Sequence, residues 1–105
     1  MSGADRVKSL DLRDEPAKSQ YEGWHDGQLA GYVQYNRLDG SVALMHTQVT
    51  EAFEGRGVGG VLARAVLDDI RAKGHTVRPY CPFLKGWIDK HPEYQDLLAA
   101  DTPAG

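Results

Sequence analysis

Residues 55–60 read Gly-Arg-Gly-Val-Gly-Gly, and the strongly helical run Val61 to Leu67 follows at once. Four glycines therefore stand at the opening of a helix. The first N–H groups of a helix have no internal acceptor and carry the positive end of its dipole. With no side chains in the way, they can close on a phosphate or a diphosphate. The plainer reading of the same residues is a tight turn. Arg56, inside the run, is either a solvated surface charge or a guanidinium matched to phosphate geometry.

Two further residues are candidates for chemistry. Cys81 is the only cysteine, and it falls immediately before Pro82 and a predicted helix, with Lys85 one turn on. Unpaired N–H groups at such a position favour a thiolate. A lone cysteine is equally a small buried hydrophobe. His46 falls in the middle of a predicted strand. It is either a structural histidine or a base, the latter if strand pairing brings it near Cys81. His91 and Tyr94 flank Pro92 and read first as capping and packing residues. No metal site is expected: the four histidines and one cysteine are scattered, with no CxxC or HxxxH pair.

The remaining composition narrows the class. The chain has 105 residues, enough for one domain over 1–105, with 1–14 and 100–105 expected to be mobile. A formal net charge of −3 argues against a nucleic-acid partner, which would call for clustered Lys and Arg. No apolar run approaches the roughly 18–20 residues of a membrane span, so no membrane partner is expected. The N-terminus lacks the apolar core of a secretory signal. One cysteine in a small domain without disulfides points to the cytoplasm. Oligomeric state is not readable.

The elements that must position these residues follow from periodicity and turn signals. Residues 1–17 are polar and contribute a first strand or an arm. Asp26-Gly27 and Asp39-Gly40 mark two hairpin turns. Between them Leu29, Gly31, Val33 and Tyr35 alternate onto one face, and a third strand runs from Val42 to Val49. From about Val58 to Lys73 the spacing is helical. Val58, Leu62, Val66 and Ile70 stand four apart with Val61 and Ala65 beside them, and Gly74 stops the helix. Residues 76–80 form a short strand. A second helix, about 82 to 91, buries Phe83 and Trp87 with Leu84 and Ile88. A strand–helix–strand crossover puts residues 76–80 parallel to 42–49, with right-handed connection. The expected fold is therefore α/β (mixed α+β): an antiparallel meander continuing into a parallel strand pair around a central crossover helix, with a second short helix near the C-terminus.

Three templates compete for the glycines. GRGVGG matches the dinucleotide fingerprint GxGxxG formally. The following strand, Thr76-Val77-Arg78-Pro79-Tyr80, lacks the acid that fingerprint needs, and too little chain remains for a second half-fold. The NTPase phosphate loop requires Lys-Ser or Lys-Thr after the glycines, and neither is present. The third template fits best. Glu54-Gly55-Arg56-Gly57-Val58-Gly59 resembles the Q/R-x-x-G-x-G/A signature of the GNAT N-acetyltransferase superfamily. With His46-Thr47-Gln48-Val49, Pro79-Tyr80-Cys81-Pro82-Phe83 and His91-Pro92-Glu93-Tyr94, in that order over about residues 18–98, the chain is similar to an abbreviated GNAT subfamily of very small proteins. Glu54 departs from the Gln or Arg of the signature. Gln48 stands where the subfamily commonly has Glu.

The resemblance implies an N-acetyltransferase that moves an acetyl group from acetyl-CoA to an unidentified amine. It implies that Arg56, Gly57, Val58, Gly59 and Gly60 hold the coenzyme A diphosphate. Thr47, Gln48 and Val49 would meet the pantetheine arm and the acetyl carbonyl. Cys81 and His46 are the catalytic candidates, and Tyr94 is a further proton donor by analogy with many GNAT enzymes. The alternative is a non-catalytic coenzyme A or acyl-CoA-binding module. A weaker third reading is a plain nucleotide binder.

Overall fold

A computed structural model of the chain describes residues 5–100. The extreme ends of the two stretches expected to be mobile, 1–4 and 101–105, lie outside the described residues. The elements are β1 (Asp11–Glu15), β2 (Gln20–His25), β3 (Gln28–Leu38), β4 (Ser41–Val49), α1 (Val58–Ala72), β5 (Thr76–Pro79) and α2 (Pro82–Asp89). Short 3-10 turns occupy Pro16–Lys18, Glu51–Phe53 and Pro92–Leu97. One five-stranded sheet holds the strands in sequence order. The first four are antiparallel, and β5 runs parallel to β4. This is the mixed architecture expected from the sequence. The polar N-terminal stretch supplies β1, and ahead of it Val7 is buried.

Local chemistry sets the boundaries. Asp26 (φ 50°) and Gly27 (φ 77°) both adopt left-handed backbone, the conformation that a two-residue turn needs to match strand twist. Gly74 (φ 77°) ends α1: its N–H donates to the Arg71 carbonyl and that of His75 to the Ile70 carbonyl. These two bonds satisfy carbonyls the helix would otherwise leave open.

The core lies on one side of the sheet, under α1 and α2. Val58, Leu62, Val66 and Ile70 are all buried, as their spacing requires. The flank of the stripe differs from expectation. Ala63 and Leu67 are buried, whereas Val61 and Ala65 are only half-buried. In α2, Leu84 and Ile88 are buried, but Phe83 is exposed and Trp87 half-buried. An eight-residue helix packed on one face can bury only one stripe, and Leu84 and Ile88 take it.

Two irregularities alter which way side chains point. Between β2 and β3, Gly23 pairs with Gly31 but Trp24 with Leu29, so Ala30 is extra. Between β3 and β4, Gln34 pairs with His46 but Tyr35 with Leu44, so Met45 is extra. Each bulge reverses the alternation beyond it. Gly31, Val33 and Tyr35 share the α1 side as expected, but Leu29 turns to the other face, opposite Trp24.

The C-terminal end of α1 is tied to the sheet by charge. The Tyr21 hydroxyl donates to Asp69 at 2.7 Å, and Lys73 lies 2.8 Å from Asp69 and 3.2 Å from Asp14. Arg37 reaches Asp14 at 2.6 Å, and the Tyr35 hydroxyl donates to it as well. Burial opposes ionisation of Asp69, but hydrogen bonds from Lys73 and Tyr21 outweigh it and hold the carboxyl below the usual carboxylate range. A carboxyl depressed in the folded state stabilises fully above its unfolded value of about 3.9, and less as pH falls through the folded value. We expect Asp69→Asn to flatten the acid limb of stability, read as the urea midpoint from pH 7 down to pH 3.

Candidate functional site

The site begins where β4 loses a neighbour. β4 pairs with β3 along its whole length, but with β5 only as far as Leu44↔Pro79. There the Leu44 carbonyl accepts hydrogen bonds from both Tyr80 and Cys81 N–H, each at 2.9 Å. The chain then turns out of the sheet into α2. Past Leu44, residues 45–49 have no strand partner on that edge among the described residues. The result is a notch in the sheet, with β4 as one wall and the start of α2 as the other.

Thr47 and Cys81 face each other across this notch. The Cys81 thiol donates to Thr47 Oγ1 at 3.4 Å. Cys81 is buried and is the N-cap residue of α2, without making a side-chain cap bond. His46 is not brought to it. Thr47 pairs with the core residue Val33, so His46, one position back, projects from the opposite, open face of the sheet. It is exposed there, its ring 6.4 Å from that of Tyr32. The reason is the bulge at Met45. In an unbroken strand, His46 would share the face of Leu44. The extra residue gives that face to Thr47. Gln48 also lies on the open face, exposed, and its amide donates to its neighbour's carbonyl, Val49 O, at 3.1 Å. Val49 is half-buried at the end of the notch.

The glycine turn leads into α1 at the far end of β4. Gly55 and Gly57 both take φ 78°, a conformation that costs a residue with a Cβ about 1–2 kcal/mol. Gly57 is the N-cap, with no side chain to close the helix end. Val61 N–H is the first to reach back, to the Gly57 carbonyl at 3.5 Å. The N–H groups of Val58, Gly59 and Gly60 precede it and have no intrahelical acceptor. The mouth is narrow. A Cβ on Gly59 would come within 3.0 Å of the Phe83 ring, and one on Gly57 within 2.7 Å of the Arg6 guanidinium.

The Arg56 side chain is turned away from this mouth. Its Nε donates to the Asp5 carbonyl at 2.8 Å, and its guanidinium lies 4.9 Å over the Phe53 ring. Only its backbone belongs to the turn. Tyr94 is also engaged elsewhere. Its hydroxyl donates to Asp68 at 2.7 Å and accepts from Arg64 at 3.1 Å. Burial, then the hydrogen bond to Asp68, raises its pKa, which makes it a poorer proton donor. His91 has the packing role read from sequence: its ring stacks on Trp87 at 3.6 Å, and Nδ1 lies 2.6 Å from the Trp87 carbonyl oxygen. No metal-binding group of three His, Cys, Asp or Glu exists among the described residues.

A family model for GCN5-related N-acetyl-transferase matches residues 20–97. The chain belongs to the GCN5-related N-acetyl-transferase family. Among solved structures it is similar to the solution NMR structure of a GCN5-like protein from Staphylococcus aureus, with a TM-score of 0.64 at 22% identity, covering 89% of this chain and 91% of that one. At that identity the likeness shows the fold. No curated protein matches the chain. Family and fold together support acetyltransferase activity in general terms. No helix among the described residues is long and apolar enough to cross a membrane.

In this GNAT domain, sequence reasoning missed Arg6 and Phe83 as neighbours of the glycine mouth. The only trace of the first is Val7, a single apolar residue between charges, which is buried with Ala30, Phe53 and Val58 and so carries Arg6 to Gly57. Phe83 stands outside the core stripe that Leu84 fills.

The glycines separate in a stability experiment. Gly57→Ala puts a Cβ at positive φ against Arg6, and we expect a loss of about 1–2 kcal/mol. Gly86, inside α2, has open space where a Cβ would go, and Gly86→Ala should gain about 0.5–1 kcal/mol. Urea denaturation of the two variants tests the pair.

Proposed function

We propose that this chain transfers an acetyl group from acetyl-CoA to an amine. The observation that carries the reading is that the partnerless edge of β4 and the uncapped mouth of α1 adjoin. One extended ligand with an amide-bearing arm and a diphosphate can use both. The bare N–H groups of the helix mouth suit a diphosphate, and the Arg6 guanidinium already lies against Gly57 there. The pantetheine arm would add along residues 46–49 as a short strand, hydrogen-bonding to Thr47, Gln48 and Val49. The diphosphate would rest on the backbone N–H groups of Gly57, Val58, Gly59 and Gly60; that of Arg56 already donates to the Phe53 carbonyl at 3.3 Å.

Acetyl-CoA supplies an acyl group on a good leaving group. A thiol with a pKa near 8.5 departs as thiolate with little acid help, so Tyr94 is not needed as a donor. An attacking alkyl ammonium, with a pKa near 10, must first lose a proton. An acetyl carbonyl in the notch would lie in the plane of the sheet, and the amine would approach from the open face. His46 and Gln48 stand on that face, which supports His46 as the proton acceptor, directly or through water. A main-chain N–H of residues 47–49 would stabilise the negative oxygen as the amine adds.

Cys81 admits a second route, in which its thiolate takes the acetyl group and passes it to the amine. Its position at the N-terminus of α2, beside the notch, favours that route. Its hydrogen bond to the neutral Thr47 hydroxyl favours direct transfer. On direct transfer, Cys81 and Thr47 shape the wall against which the thioester lies.

Amide NMR of the labelled protein with acetyl-CoA should move signals at Arg56–Gly60, Thr47–Val49 and around Cys81. No movement there would remove the donor assignment. Binding without transfer to any amine would mark a non-catalytic coenzyme A-binding module. With an accepting amine in hand, Cys81→Ser should keep most of the activity if transfer is direct, and lose it if an acetylated Cys81 is on the path. With His46 as the proton acceptor, His46→Gln should lower kcat/KM for the amine and leave acetyl-CoA binding unchanged.

A further inference from the structure

The large apolar side chains left exposed among the described residues are Leu38, Met45, Tyr80 and Phe83. All but Leu38 border the notch. Met45 is the bulge residue just past the last β4–β5 pair. Tyr80 is the residue whose N–H meets the Leu44 carbonyl as the chain turns out of the sheet. The two therefore stand at the closed end of the notch, one on each wall, 43% and 58% exposed. Phe83, in the first turn of α2, lies toward Gly59 instead. Tyr32 extends the group across β3: it pairs with Gln48, and its ring lies 6.4 Å from that of His46. Single exposed apolar residues need no explanation, but a group of them rimming one site marks a surface that something covers.

The same face offers little to a second ammonium. His46 pairs with Gln34 and Gln48 with Tyr32, so the residues around the imidazole are neutral. Glu22, which pairs with Tyr32, also points to this face, but its carboxylate is closed off. It accepts from Gln20 Nε2 at 2.7 Å and Trp24 Nε1 at 3.1 Å, with Lys18 at 3.7 Å, and the residue is 4% exposed. On the other side Arg78, in register with Ala43, is a cation, its Nε donating to Ser41 Oγ at 3.3 Å. Exposed acids resume only past Val49, at Glu51 and Glu54 in the link to the glycine turn. A polyamine or a basic peptide would bring further positive charge to neutral groups and an arginine.

Resting on the acyl-transfer reading above, we infer that the accepting amine is a small monoamine with an apolar or aromatic body, and that Met45, Tyr80 and Tyr32 select it. The body lies against Met45 and Tyr80 at the closed end of the notch, where it gains contact area and displaces water. Its nitrogen then reaches the thioester between His46 and Tyr32. The nitrogen lone pair forms the bond to the acetyl carbon, the amine proton passes to His46, and the carbon–sulfur bond breaks with coenzyme A leaving as thiolate. Tyr80 and Met45 take no part in those steps; they determine which amine is held for them.

Steady-state transfer from acetyl-CoA by the full chain tests this. The acceptors are 2-phenylethylamine, ethylamine, spermidine and a lysine peptide with blocked ends, compared at equal concentrations of the unprotonated amine. The wild type should favour 2-phenylethylamine over ethylamine by about tenfold in kcat/KM, the worth of partly covering one ring, and should use spermidine and the peptide less well than 2-phenylethylamine. Tyr80→Ser should remove most of that preference by raising KM for 2-phenylethylamine, leaving its kcat and the KM for ethylamine unchanged. Tyr80→Phe should keep the preference, and Met45→Gln should reduce it. Both side chains are exposed, so thermal melts of the variants should match the wild type. Spermidine or the peptide as the better acceptor, equal use of 2-phenylethylamine and ethylamine, or a preference untouched by both Tyr80→Ser and Met45→Gln overturns the acceptor class while acyl transfer stands. Transfer to none of the four, with acetyl-CoA bound, overturns the acceptor class, and no binding of acetyl-CoA removes the donor reading beneath it.

Discussion

The parting of β4 from β5 after Leu44 is the constraint on which the rest of the site depends. Two successive amides, Tyr80 and Cys81, converge on one carbonyl, and the chain then leaves the sheet. What remains is a strand edge with no strand partner among the described residues. Backbone polar groups are rarely left unpaired inside a protein, and an open edge invites another extended chain. The bulge at Met45 belongs to the same event. It falls one residue past the last β4–β5 pair, and it decides that Thr47 looks toward Cys81 while His46 and Gln48 look out through the open face. The two faces of the notch therefore carry different chemistry: a thiol and a hydroxyl on the helix side, an imidazole and an amide on the solvent side.

α1 connects this notch to the mouth beside it. A helix that begins Val-Gly-Gly, after a glycine N-cap, gives up about 1 kcal/mol for each glycine relative to alanine. Burial of Val58, Leu62, Ala63, Val66, Leu67 and Ile70 offsets that cost, and the Tyr21–Asp69–Lys73 cluster fixes the opposite end. The helix is held by its core face and its C-terminus, so the N–H groups of its first turn are not needed to hold it. A single buried side chain, Val7, with its N–H on the Arg56 carbonyl and the Arg56 side chain on the Asp5 carbonyl, brings the Arg6 guanidinium to that helix end.

Much of the fold was legible because it rests on local rules. Asp26-Gly27, Gly74 and Pro82 each impose or tolerate a backbone geometry that few other residues do. The i, i+4 stripe from Val58 to Ile70 names its buried face directly. The legible part of the site was the glycine turn, for the same reason. The outward turn of Leu29, the exposure of Phe83 and the separation of His46 from Cys81 are not legible in the sequence, because each depends on parity or competition over a distance. One inserted residue reverses every side chain beyond it, and nothing in the hydrophobic pattern around Met45 or Ala30 marks the insertion.

The sequence by itself therefore determined the strand and helix order, the crossover, the bare helix mouth and the family, since these follow from backbone preferences and short motifs. Tertiary structure alone decided that Thr47 meets Cys81, that Arg56 turns away and that Arg6 takes its place. The physical reason is that side-chain direction in a sheet is set by register against a neighbour, and that a charge distant in sequence reaches a site only through the packing of the residue beside it.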